Sequence, residues 1–164
     1  MTSLKYSSIP ELPADIGGIN DLTLIVFRLH GMLIQWGDRL VEPLGLTSAR
    51  WQILGAIALA GQPLTAPQVG AAMGTTRQGA QKQLNLLLSL GLVESSSNPA
   101  HRRSCLYMLT PPGQRLYMQA EKLWIAKAAE LAKQIPPSQV QAATTTLDAM
   151  LRYLTQPSPS EVRL

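Results

Sequence analysis

The chain has 164 residues, a formal net charge of +4 and a single cysteine. That length suits one domain with a core that needs no staple, and the lone Cys105 excludes a disulfide within the chain, which fits a reducing cytoplasm. Apolar runs such as 22–27 and 123–126 fall far short of the ~20 residues that span a bilayer. Glu11 and Asp15, with Pro10 and Pro13, interrupt the N-terminus before a signal-peptide core can form. The expectation is a soluble cytoplasmic protein.

The first ~18 residues, with their prolines and glycines, read as a loosely held arm. Asn20 or a near neighbour then caps a long helix to about Leu40, in which Leu22, Ile25, Leu29, Leu33, Trp36 and Leu40 recur at helical spacing. Pro43 and Gly45 end it. Thr47 caps a second helix with Trp51, Leu54, Ile57 and Ala58 on one face, closed by Gly61. Thr65 and Gln68 have capping-box spacing with Pro67 in the first turn, so a third, shorter helix starts there and ends at Gly74. Thr75 and Gln78 repeat the box and launch a fourth helix to Leu90, stopped by Gly91. Two helices joined by so short a turn match a helix-turn-helix. Two strand-like runs, 92–96 and 104–109, flank a polar turn from Asn98 to Ser104. Thr110 with Pro111 opens a long helix to about Lys133. Pro136 and Pro137 break it, and a last helix carries Val140, Ala143, Leu147, Leu151 and Leu154. The tail from Gln156 reads as frayed.

Charge is distributed to match. Between residues 43 and 120, Arg50, Arg77, Lys82, Arg102, Arg103 and Arg115 face Glu94 alone, while the ends are near balance. On a wheel of about 100° per residue, Ala80, Leu84 and Leu87 of the fourth helix share an apolar stripe. Gln78, Gln81, Lys82 and Asn85 share a separate polar one, and Thr75, Thr76 and Arg77 crowd the first turn. Amide and cationic side chains are the groups that bond base edges and phosphates in the major groove, and the N-terminal half of such a helix is the half that enters it. Arg102 and Arg103, beside His101, sit at the hairpin tip, where arginine suits the minor groove or its phosphates. One of the pair is expected to turn back toward a partner such as Glu94 to brace the hairpin.

From Leu46 to Gly113 the chain resembles the multiple antibiotic resistance regulator (MarR) family of winged-helix transcription factors. The matching words are Leu46-Thr47 with Trp51 and Leu54, Thr76-Arg77 opening the recognition helix, Gly91-Leu92-Val93, the wing from Asn98 to Ser104, and Leu109-Thr110 with Gly113. The flanking helices follow that family's order. The resemblance implies a mostly α fold with a small β wing, in a single domain over 1–164. In it, dimerisation helices over 1–45 and 114–156 flank a winged helix-turn-helix lobe over 46–113. It further implies a homodimer on a palindromic operator in double-stranded DNA, read as a repressor, and modulation by a small aromatic or anionic effector. DNA contacts are assigned to Thr75, Thr76, Arg77, Gln78, Gln81, Lys82, Arg102 and Arg103. The apolar positions Leu116, Leu123, Trp124, Leu147, Leu151 and Leu154 independently favour a dimer, being more than so small a lobe can cover.

Two departures stand out. Many members carry an aspartate and an arginine near the wing tip, where this chain has Asn98 and Ala100. Gly79 in mid-helix costs about 1 kcal/mol relative to alanine and invites a reading in which backbone approaches DNA closely. His30, Trp36 and Trp51 are candidates to line a ligand cavity between the dimerisation helices and the lobe, the ordinary alternative being core. Cys105 lacks the surroundings of a redox sensor and reads as an inert thiol. Two histidines and one cysteine without paired spacing argue against a metal site. The absence of a phosphate loop, nucleophile elbow or paired acids argues against an enzyme or a cofactor. The rival reading is a dimeric helical module for protein interaction or ligand sequestration that has lost DNA binding.

Overall fold

The computed structural model describes residues 13–101 and 103–156. The chain runs through α1 (Ala14–Val41), a 3-10 turn (Glu42–Leu44), α2 (Ser48–Ala60), β1 (Leu64–Thr65), α3 (Ala66–Ala72) and α4 (Arg77–Ser89). It continues through β2 (Val93–Ser96), β3 (Leu106–Leu109), α5 (Pro111–Ala132) and α6 (Pro137–Thr155). It is mostly helical with one small antiparallel sheet. The chain divides into two compact units, the first running to Ala120 and the second beginning at Glu121. No helix among the described residues is long and apolar enough to cross a membrane.

In the first unit, α1 starts well before Asn20. Pro13, at φ −48°, is its N-cap and no side chain caps it. Proline presets a helix-compatible φ at an N-terminus, and Gly17 and Gly18 lie in the first turns with open space around them. Residues 14–18 are therefore helix rather than arm, while the rest of the expected arm, 1–12, lies outside the described residues, as does the tail from residue 157. At the other end of α1 the Asp38 carboxylate accepts the N–H of Ser48, the first residue of α2, at 2.7 Å. Gly37 permits the approach, since a Cβ there would sit 2.7 Å from Ser48 Oγ. Thr47 caps α2 as expected, accepting from Arg50 N, and Gly61 ends it at φ +62°.

The Thr65–Gln68 capping box forms and α3 stops after seven residues. Gly74, at φ +61°, reverses the chain, and Thr75 N–H donates to Gly70 O at 2.9 Å. A Cβ on Gly70 would come 3.0 Å from the Thr75 carbonyl oxygen, so glycine there sets how closely the two helices of the motif approach. Their apolar faces close on α2: Leu54, Val69, Leu84 and Leu87 are fully buried, with Val41 from α1. Burial of a leucine or valine of this kind is worth roughly 1.5–3 kcal/mol relative to exposure.

The strand order is β1-β3-β2. β2 and β3 form the anticipated hairpin, with Val93 opposite Leu109 and Ser96 opposite Leu106. The two-residue β1 is an addition to expectation: Leu64 pairs with Tyr107 and Thr65 with Leu106, so the residues before α3 are tied to the wing. The exit from the hairpin is clamped. Thr110 Oγ1 donates to Gly91 O at 2.7 Å while accepting from Gly113 N, Thr110 N donates to Leu92 O at 3.1 Å, and a Cβ on Gly113 would collide with the Leu92 carbonyl.

In the second unit, the remainder of α5 and α6 are surface-rich. Lys127 pairs with Glu130 at 2.9 Å and Arg152 with Asp148. α6 has no buried residue. Leu151, Tyr153 and Leu154 are exposed along its last turns.

Candidate nucleic-acid interface

Thr76, in extended backbone at φ −70° and ψ 153°, caps α4 and accepts the Gly79 N–H at 3.0 Å. The expected Thr75–Gln78 box does not form and the cap lies one residue later, with a single bond, because the left-handed turn at Gly74 commits the Thr75 N–H to Gly70 O and Gly79 has no side chain to reach back. Gly79 has a reason internal to the protein: a Cβ there would meet Thr75 Oγ1 at 2.9 Å and Thr76 Oγ1 at 3.2 Å. A glycine at this position leaves room for two threonine hydroxyls over the first turn.

The wheel holds. Ala80, Leu84 and Leu87 are fully buried, while Thr75, Thr76, Arg77, Gln78, Lys82 and Asn85 are exposed. Arg77, Gln78, Gln81, Lys82 and Asn85 line one open groove along α4. Gln81 differs from its neighbours in being partly buried. Its Nε2 donates to Tyr107 Oη at 2.8 Å and to Asn85 Oδ1 at 2.9 Å, so its side chain bridges the helix to the sheet. Neither Tyr107 nor Asn85 was among the expected site residues. Asn85 was visible on the polar stripe, whereas nothing in a tyrosine 26 residues away announces the bond.

Arg103 is exposed in the wing turn, and Arg102 lies outside the described residues. Asn98 Oδ1 accepts from Ala100 N at 3.0 Å, and His101 N and Ser104 N donate to Asn98 O and His101 O. The turn is thus held by its own backbone and by the Asn98 side chain. Arg103 forms no ion pair with Glu94. With Arg102 undescribed, the expected sharing of roles between the two arginines lies outside the described residues. A second hollow of about 220 Å³ joins the wing to the helices, with Arg77, Gln81, Arg103, Cys105 and Tyr107 on its walls. Two guanidinium groups thus border one depression, and among the described residues no carboxylate lines it. Cys105 is exposed there.

One of the three candidates for a ligand cavity, His30, borders a hollow. It faces a space of about 250 Å³ behind the start of α4, shared with Ile34 of α1, Gln52 and Ile53 of α2, Met73, and Gln83 of α4. Trp51 instead packs against the core, and Trp36 is half-buried on α1 away from that space.

The MarR family model matches residues 44–104. The uncharacterized protein Rv2011c of Mycobacterium tuberculosis is 36% identical over 134 residues, a match covering 82% of this chain and 92% of that protein. Among solved structures, the MarR family transcription regulator SP03579 superposes with a TM-score of 0.71 at 26% identity, over 85% of this chain and 92% of that one. CouR from Rhodococcus jostii RHA1, solved with p-coumaroyl-CoA, has a TM-score of 0.70 at 24% identity, over 79% of this chain and 91% of that one. CouR on a 23-mer DNA duplex has a TM-score of 0.69 at 22% identity, over 86% and 99%. At those lower identities the likeness is one of fold.

Proposed function

The chain belongs to the MarR family of transcription regulators, and from that premise we propose that it represses transcription by binding a palindromic operator as a homodimer. The observation that carries the DNA reading is the open groove lined by Arg77, Gln78, Gln81, Lys82 and Asn85 of α4, with Thr75 and Thr76 exposed just before the helix and Arg103 of the wing sharing the neighbouring hollow with Arg77 and Gln81. In this reading α4 enters the major groove, with Gln78 and Gln81 toward base edges and Arg77 and Lys82 toward phosphates. Arg102 and Arg103 then grip the neighbouring backbone. The solved CouR–DNA complex supports this use of the fold. A gel shift with the DNA upstream of the gene, at two salt concentrations, tests it. Binding that weakens steeply with salt is expected, because each neutralised phosphate releases counterions. No shift even in dilute buffer sinks the proposal.

The dimer rests on apolar surface. Phe27 is 69% exposed on α1, and Leu151, Tyr153 and Leu154 are 61%, 76% and 72% exposed on α6, more large apolar groups than a monomer's surface ordinarily leaves bare. A two-fold dimer requires half-sites about one helical turn apart, so an inverted repeat of that spacing is expected in the protected DNA.

Effector control rests on the cavity at His30. Its walls include Gly79 in the first turn of α4 and Gly74 and Thr75 in the turn before it, so an occupant would press on the DNA-facing helix. Its size lies at or just below the lower end of ordinary ligand pockets, which start near roughly 300 Å³. It therefore suits a single-ring acid, with His30, Gln52 and Gln83 as the polar contacts. CouR was solved with p-coumaroyl-CoA, which supports small-molecule control in this fold. Release of DNA by one of a panel of monocyclic aromatic acids, lost in His30→Ala, is the expected outcome. A panel without effect removes this part of the reading.

A further inference from the structure

Gln81 differs from every other polar residue of the recognition face in having its amide hydrogens already spent. One goes to Tyr107 Oη at 2.8 Å, the other to Asn85 Oδ1 at 2.9 Å. Tyr107 is itself held: it is 5% exposed, it lies at the centre of the sheet, and it pairs with Leu64 on one side and Ser95 on the other. A glutamine free to turn can offer one donor and one acceptor together and so match adenine N6 and N7. With both N–H groups engaged, Gln81 retains only its carbonyl Oε1 to offer.

We propose that Tyr107 is a specificity-determining residue that locks Gln81 into presenting an acceptor to the major groove. The inference rests on the DNA-binding reading above and names what one position of the half-site must be. An acceptor bonds an exocyclic amine, adenine N6 or cytosine N4, and opposes the acceptors guanine O6 and thymine O4. One base position per half-site is therefore read as adenine or cytosine and rejects guanine and thymine. The lock is a device of the wing: without β3 beside α4, the N–H now held by Tyr107 would be free to turn outward.

Selection from a pool of random-sequence duplexes by the full-length protein tests this, with Tyr107→Phe and Gln81→Glu carried alongside. In the wild type, one position should accept adenine and cytosine to within about threefold of each other and reject guanine and thymine by about tenfold. Tyr107→Phe frees an N–H, so that rejection should collapse to within about threefold. Affinity for a duplex of unrelated sequence should stay within about twofold, because Arg77, Lys82 and Arg103 still meet phosphates. Gln81→Glu keeps an outward acceptor while its other oxygen accepts from Tyr107, so it should preserve the rejection. A wild type that enriches sequences without this amine-bearing position overturns the inference and leaves DNA binding standing. A Tyr107→Phe protein with undiminished rejection does the same. A wild type that binds no duplex at all removes the DNA-binding reading and this inference with it.

Discussion

The two units use the same apolar residues for different ends. The fully buried large side chains, Val41, Leu54, Val69, Leu84 and Leu87, all belong to the first unit. There, four helices and a sheet close on one another, with glycines at close approaches such as Gly37 against Ser48 and Gly70 against Thr75. α6 buries none of its residues, yet carries Val140, Leu151 and Leu154 at exposures of 48%, 61% and 72%. Apolar content is therefore a poor guide to core. What separates the two cases is whether the chain itself supplies a facing surface, and along α6 a second copy is the proposed supplier.

Substitutions can break that contrast directly. The largest effect is expected from Leu84→Ala, which opens a void in a fully buried site and should cost about 2–5 kcal/mol, read as a lower midpoint in denaturant unfolding at any protein concentration. Leu154→Ala should leave the lobe's stability nearly unchanged and instead weaken dimerisation by roughly 1.5–3 kcal/mol, read by sedimentation equilibrium. A Leu154→Ala protein that associates like the wild type would remove the last turns of α6 from the dimer. Smaller still, Thr76→Ala deletes the cap of α4 and should cost about 1 kcal/mol, with a matching loss of DNA affinity because the helix start frays. The smallest stability change, within about 0.5 kcal/mol, is expected for Lys82→Ala on the exposed face. Its signature is in binding: the salt dependence should flatten by about one unit, and an unaltered slope takes Lys82 out of the interface.

Much of this was legible in residue order because it depends on local chemistry. Thr47, Thr65 and Thr110 cap helices through bonds to residues three positions on, and Gly61, Gly74 and Gly91 supply left-handed backbone where each reversal needs it. The apolar stripe of α4 follows from its period alone. What escaped depends on partners distant in sequence. β1 is a strand only because Tyr107 and Leu106 lie beside it. Thr76 displaces Thr75 as the cap because Gly70 claims the neighbouring N–H. The start of α1 was hidden by glycines that weaken a helical pattern without forbidding it. Gln81 looked like any solvent-facing amide, and only the fold brings Tyr107 to it. In the same way, the sequence does not show which aromatic positions meet a hollow: Trp51 packs against the core, whereas the space behind α4 is bordered from α1 by His30 and Ile34.

The clamp at the wing's exit has a mechanical corollary. With Thr110 riveted to the backbone of Gly91 and Leu92, and Gly113 seated under the same carbonyl, no slack exists between the end of α4 and the opening turn of α5. The last turn of α4 and the first turn of α5 are therefore fastened to one another through Thr110.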